Sequence, residues 1–165
     1  LEELIIHPRI QTDYYKNTPN MKVFQDGLKL GKAPICYNGD LFTADRIRQF
    51  IKSCPQVKTV MLGRGVIANP GIVNQFKEDI PPEKDRLRAF HDQVYSGYKE
   101  IMSGERNPLF RMKELWFYMG HMFSNPEKYL KKIKKAERFH DYDTAVAALF
   151  REQEVMADAG YQAVL

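Results

Sequence analysis

Three short stretches of the chain carry the residue types from which an anion site can be built. Ile6-His7-Pro8-Arg9, Tyr37-Asn38-Gly39-Asp40 and Leu62-Gly63-Arg64-Gly65 each pass abruptly from an apolar run to imidazole, amide, glycine or charge. Glycine lets backbone N–H groups approach an anion closely, and a guanidinium adds a planar fork of donors, so Gly39, Gly63, Gly65 and Arg64 read as a phosphate site. Taken singly, Asn38-Gly39-Asp40 is an ordinary turn and Gly63-Arg64-Gly65 an ordinary loop. Their recurrence after consecutive apolar runs is what points to a ligand. His7 alone is as well explained by a structural hydrogen bond. Cys36 and Cys54 have no histidine or base beside them in the sequence, so Cys36 reads as a buried small hydrophobe and not as a nucleophile. Neither zinc nor a disulfide framework is expected from two cysteines without C-x-x-C spacing, and both read as reduced thiols of a cytoplasmic protein.

The elements that must position these groups alternate over the first eighty residues. Leu4-Ile5-Ile6, Ala33 to Tyr37 and Thr59 to Leu62 are short apolar strands. Between them Met21, Phe24 and Leu28, then Ile47, Phe50 and Ile51 behind a capping Thr43, recur at helical spacing, and a short helix follows from Pro70 through Phe76. Strands that are apolar throughout, separated by helices, predict a parallel sheet covered by helices. In such folds ligands lie beyond the C-terminal strand ends, where all three stretches fall, and the helix after Pro70 is expected to add the positive end of its dipole.

From Pro81 onward the period is helical. A helix is predicted from Pro82 to Ser103, a second capped by Asn107-Pro108 with Met112, Leu115, Trp116 and Met119 inward, a third behind Ser124-Asn125-Pro126, and a fourth from Asp143 to Ala159 ended by Gly160. In the third, Lys128, Lys131, Lys135 and Arg138 fall at spacings of three, four and three and are expected along one helical face, opposite Tyr129, Ile133 and Ala136. The expected organisation is residues 1–80 as a β/α unit and 81–165 as a helical bundle.

Composition bounds the function. The chain has 165 residues, 44% hydrophobic and 28% charged, which fits a globular protein and excludes a disordered tail, a collagen and a disulfide scaffold. No apolar run is long enough to span a membrane, and the start has neither a basic leader nor a small-residue cleavage site. The first residue is not Met and the chain enters a strand almost at once, so a cut within a larger fold is expected, with a processed terminus as the alternative. Net charge is +4, but residues 105–138 hold 9 Lys and Arg against 4 Asp and Glu, while residues 139–165 hold 1 against 5. A local basic excess of this kind is the footprint of a polyanion-binding surface, although a solvated lysine-rich helix face has the same composition.

Leu4 to Arg9, Tyr37 to Asp40, Met61 to Pro70 and Arg111-Met112-Lys113-Glu114-Leu115-Trp116-Phe117-Tyr118, taken in that order, resemble the successive signatures of the tRNA-dihydrouridine synthases. The resemblance covers most of the chain. It implies the last three strands of an FMN-binding TIM barrel, six to eight, over residues 1–80, then a helical tRNA-binding domain over 81–165. It places flavin contacts on His7, Asn38, Gly39 and Asp40, and the phosphate grip on Gly63 and Arg64. It also makes tRNA the ligand of the basic residues Lys128, Lys131, Lys135 and Arg138, with Arg111 and Lys113 as the alternative surface. The implied reaction is reduction of the C5=C6 bond of a tRNA uridine by FMN that NADPH has reduced. The family's catalytic cysteine stands in an Asn-x-Gly-Cys-Pro motif that this sequence does not contain, so no catalytic residue is assigned and the chain is expected to be inactive alone.

Two other readings fit parts of the pattern. A stand-alone RNA-binding helical protein accounts for the basic block, and an old-yellow-type flavin reductase accounts for Gly63-Arg64-Gly65 followed by Ala68-Asn69-Pro70. Three β/α units cannot close a barrel, so the open sheet edges predict self-association of the fragment or pairing with the missing half.

Overall fold

The computed structural model describes residues 1–13, 17–157 and 159–161. Strands β1 (Leu4–Ile6), β2 (Ile35–Asn38) and β3 (Thr59–Met61) form a parallel sheet in the order β1-β2-β3, with Leu4 opposite Ile35 and Cys36 opposite Thr59. Parallel neighbours cannot be joined by a tight turn, and helices α1 (Met21–Leu30) and α2 (Ala44–Ser53) make the two crossovers. Each starts on a side-chain cap: Asn20 Oδ1 accepts from the Val23 N–H and Thr43 Oγ1 from the Arg46 N–H. Phe24, Ile47 and Phe50 turn onto the sheet, where the Tyr37 ring stacks on Phe50 at 4.1 Å and meets Phe24 edge-on at 4.8 Å. The alternating order and parallel pairing expected for the first eighty residues are present.

β3 leads into a short helix that the spacing does not predict, α3 (Arg64–Ala68), and then into α4 (Ile72–Glu78). A Cβ on Gly65 would lie 2.4 Å from the Leu41 carbonyl oxygen, so only glycine lets α3 settle against the backbone that leaves β2.

Helices then follow one another up to Glu152: α5 (Lys84–Ile101), α6 (Arg106–Met119), a 3-10 turn at Gly120–Met122, α7 (Glu127–Lys135) and α8 (Phe139–Glu152). Their apolar faces make a second core that includes Met112, Trp116, Tyr129, Ile133 and Leu149. Within it lies a chain of polar contacts. Trp116 Nε1–H donates to the Tyr142 hydroxyl at 2.7 Å, which lies 2.7 Å from His91 Nε2, while His91 Nδ1 is 2.8 Å from Asp92. With the indole as an obligate donor, the hydroxyl gives its proton to Nε2, and Nδ1–H points to the carboxylate. Burial holds the His91 pKa below its ordinary value, so the imidazole stays neutral. The whole is a mixed, mostly helical α/β structure, and α3 packs on α6 where the two cores meet.

Three boundaries differ from expectation. Helix α6 begins at Arg106, so Asn107 and Pro108 lie in its first turn and do not cap it. Helix α7 stops at Lys135, and Arg138 stands at the N-cap of α8, off the face shared by Lys128, Lys131 and Lys135. Helix α8 starts at Phe139 and ends at Glu152, well short of Ala159. Beyond it the chain runs back along the 3-10 turn, with the Ser124 N–H donating to the Glu154 carbonyl at 2.9 Å and the Met156 N–H to the Met122 carbonyl at 2.9 Å.

Candidate anion site at the strand exits

The three strand exits are joined side chain to side chain. After β1, the Arg9 guanidinium donates Nη1–H to Asp40 Oδ1 at 2.9 Å and Nη2–H to Oδ2 at 2.5 Å. From the first turn of α3, Arg64 Nη2–H donates to the same Oδ1 at 2.8 Å. One carboxylate at the end of β2 therefore holds two guanidiniums, one from the exit of β1 and one from the exit of β3. His7 closes the set by donating Nδ1–H to the Asn38 carbonyl at 2.7 Å, and Asn38 Nδ2–H reaches the Met61 sulfur at 3.2 Å.

The two arginines differ in setting. The Arg9 side chain is 3% exposed, and its outer edge donates to the Asn17 carbonyl from Nε at 2.8 Å and from Nη2 at 2.5 Å. Hydrogen bonding to Asp40 raises its pKa further above an already high value, so it is a permanent charge. Arg64 is more open, at 17%, and lies 5.0 Å from the ring centre of Phe42 and 5.5 Å from that of Tyr161. Tyr161 also touches Tyr118 and His121, so the returning tail ties α6 to the strand exits. The Asp40 carboxylate fixes where both charges sit, and aromatic rings flank that of Arg64.

Asn38, Gly39, Asp40, Gly63, Arg64 and His7 thus meet in one region, as the spacing led us to expect. The glycines do different work. A Cβ on Gly39 would fall within 2.0 Å of the Tyr37 hydroxyl, so this glycine is needed to clear the ring, whereas a Cβ on Gly63 would meet nothing within 4 Å. Burial and the negative charge of Asp40 push the Tyr37 hydroxyl up to about 12, and it stays a neutral phenol. The helix after Pro70 is not the one at this corner. The N–H of its N-cap, Gly71, donates to Asn69 Oδ1 at 3.0 Å and its first amide, Ile72 N–H, to the Asn69 carbonyl at 3.0 Å, and the element that starts at the β3 exit is α3. Cys36 in β2 and Cys54 at the C-cap of α2 are both buried, and burial pushes the Cys54 thiol up.

Arg9, Asp40, Phe42 and Tyr161 line one open cleft of about 1570 Å³ between the strand exits and the turn that follows α6. A second groove, of about 1370 Å³, runs over α6 among Phe110, Phe117 and Val66. It is more apolar, with Arg111, Lys113, Glu114, His121 and Lys134 along it, and the joined charged side chains at the strand exits make that region the candidate anion site. Arg9, Phe42 and Tyr161 were not singled out from sequence. Arg9 was legible in Ile6-His7-Pro8-Arg9, but nothing local links Tyr161 to Arg64.

The basic residues spread over two helices and a cap. Lys131 and Lys135 are exposed on α7, opposite buried Tyr129 and Ile133. Lys128 lies 3.5 Å from Glu152 and 4.6 Å from the Tyr129 ring centre. Arg138 pairs with Glu105 at 3.8 Å and Arg111 with Glu114 at 2.9 Å, while Lys113 is half-buried. Among the described residues no helix is long and apolar enough to cross a membrane.

No curated protein matches the chain. The model of the dihydrouridine synthase family matches residues 1–164, nearly the whole length, and on that match the chain belongs to the dihydrouridine synthase family.

Proposed function

We propose that this chain supplies the phosphate end of an FMN site and a tRNA-holding surface to a tRNA-dihydrouridine synthase, residues 1–80 forming the last three units of a β/α barrel and 81–165 the helical domain. The observation that carries this reading is the joining of all three strand exits through Asp40. It sets a partly open guanidinium, Arg64, directly after the unobstructed backbone of Gly63. That donor set suits a phosphate monoester: a fixed fork, an approachable backbone, and positive charge gathered at the C-terminal edge of a parallel sheet. Two separate apolar cores support the division near residue 80. Among the described residues each outer strand has a neighbour on one side alone, and Leu4, Ile5 and Met61 of these strands are exposed, as in segments of a larger sheet.

When bound, FMN reduced by NADPH supplies a hydride for the C5=C6 bond of a tRNA uridine. This chain's own residues bind and orient. Gly63 and Arg64 hold the phosphate; Asn38, Gly39, Asp40 and His7 line the approach of the isoalloxazine; Lys131 and Lys135, with Lys128, Arg138, Arg111 and Lys113 at the margins, hold tRNA phosphates. The sequence has no Asn-x-Gly-Cys-Pro motif, and the proton of the reaction is left to groups outside this chain. Flavin fluorescence titrations with FMN and riboflavin test the reading. FMN should bind the tighter of the two, because only it carries the phosphate; equal affinities, or none, overturn the assignment.

A further inference from the structure

We propose that Arg9 is a positioning residue that acts through Asp40: it offsets the carboxylate's charge so that Arg64, although hydrogen-bonded to Asp40, keeps its attraction for the phosphate. This rests on the assignment of the phosphate to Arg64. Although Arg9 borders the cleft, its side chain is 3% exposed and its guanidinium is engaged on both edges, the inner on both oxygens of Asp40 and the outer on the Asn17 carbonyl. Arg64 shares Oδ1 with it, so the two guanidiniums bracket one carboxylate at hydrogen-bond distance on either side.

Like charges this close are tolerable only because the carboxylate lies between them. The same geometry fixes what Arg9 contributes. If it is taken away, the site loses one positive charge whatever else surrounds it, and Asp40 turns its full charge on Arg64. Arg64 is then drawn into a simple ion pair and its field at the phosphate falls. Restoring the balance requires only that Asp40 lose its charge too.

The test compares FMN with riboflavin, so that effects on the ring cancel in the ratio of the two dissociation constants. The wild-type protein should favour FMN; if it does not, the assignment of the phosphate to Arg64 fails, before any variant is considered. Arg9→Met should lower the preference roughly tenfold, as expected for one unit charge removed from just behind the binding group. Arg9→Lys, which keeps the charge but not the fork, should lower it less than threefold. Arg9→Met combined with Asp40→Asn should recover most of the wild-type preference, a rescue that a purely structural role for Arg9 does not give. An unchanged preference in Arg9→Met overturns the proposal, as does a double variant no better than the single one. Circular dichroism checks each fold. Should Arg9→Met not fold, Arg9→Lys decides: a drop as large as tenfold shows that fork geometry and not charge matters, and the proposal falls.

Discussion

The Arg64 guanidinium lies 5.5 Å from the ring centre of Tyr161, a residue from the far end of the described chain. Tyr161 is held in place by the tail that returns along the 3-10 turn, and Gly160 before it sits so close to the Phe42 carbonyl that a Cβ there would be 2.3 Å from the oxygen. Tyr161→Ala should remove one face of the Arg64 cage together with its contacts to Tyr118 and His121. A loss of about 1 to 3 kcal/mol is expected from the aromatic and cation contacts together, measured by urea denaturation.

Tyr142→Phe removes the hydroxyl that both Trp116 and His91 use. The indole N–H and the imidazole nitrogen are then left without a partner in a core where Tyr142 is fully buried. Each orphaned polar group costs about 1 to 3 kcal/mol, so the loss should exceed that of an ordinary surface change severalfold. Chemical denaturation monitored by Trp116 fluorescence reads it, since this is the one tryptophan of the chain.

Acid should weaken the helical core through His91. Its pKa is lowered in the folded protein, mainly by burial, so as pH falls through about 6.5 the unfolded chain takes up a proton before the folded one does. Stability is therefore fully present above that value and declines below it, until the folded-state pKa is passed. His91→Gln should be less stable at pH 7.5 but should lose less of its remaining stability between pH 6.5 and 5. Thermal melts across that window check both halves of the statement.

Lys131 and Lys135 project from α7 with Tyr129 and Ile133 buried beneath them. Replacing both lysines by Ala should weaken tRNA binding and flatten the slope of log affinity against log salt by about one unit per lost phosphate contact, with helix content unchanged. Arg138→Ala should change the slope less, because that side chain faces Glu105 from the cap of α8.

The β/α order, the parallel pairing and the meeting of the strand exits were readable because each rests on local signals: apolar runs, the Asn20 and Thr43 caps, and glycine beside charge. What stayed hidden depends on partners remote in sequence. Gly160 reads as the stop of a helix that runs on to Ala159, yet backbone pairing of Glu154 and Met156 with Ser124 and Met122 draws that stretch out of the helix. Gly63-Arg64-Gly65 looks like a loop because glycine disfavours helix, but Gly65 is needed where α3 meets the Leu41 carbonyl. The role of Arg9 was missed for a related reason, since its meaning comes from Asp40, a residue thirty-one positions away.

The affinity of Arg64→Ala for FMN tests the central claim most directly. If Arg64 holds the phosphate, its removal should weaken FMN binding by about 1.5 to 3 kcal/mol, the range for hydrogen bonds to a charged group, while riboflavin binding changes little. FMN affinity equal to that of the unsubstituted protein, or an equal loss for FMN and riboflavin, would contradict it.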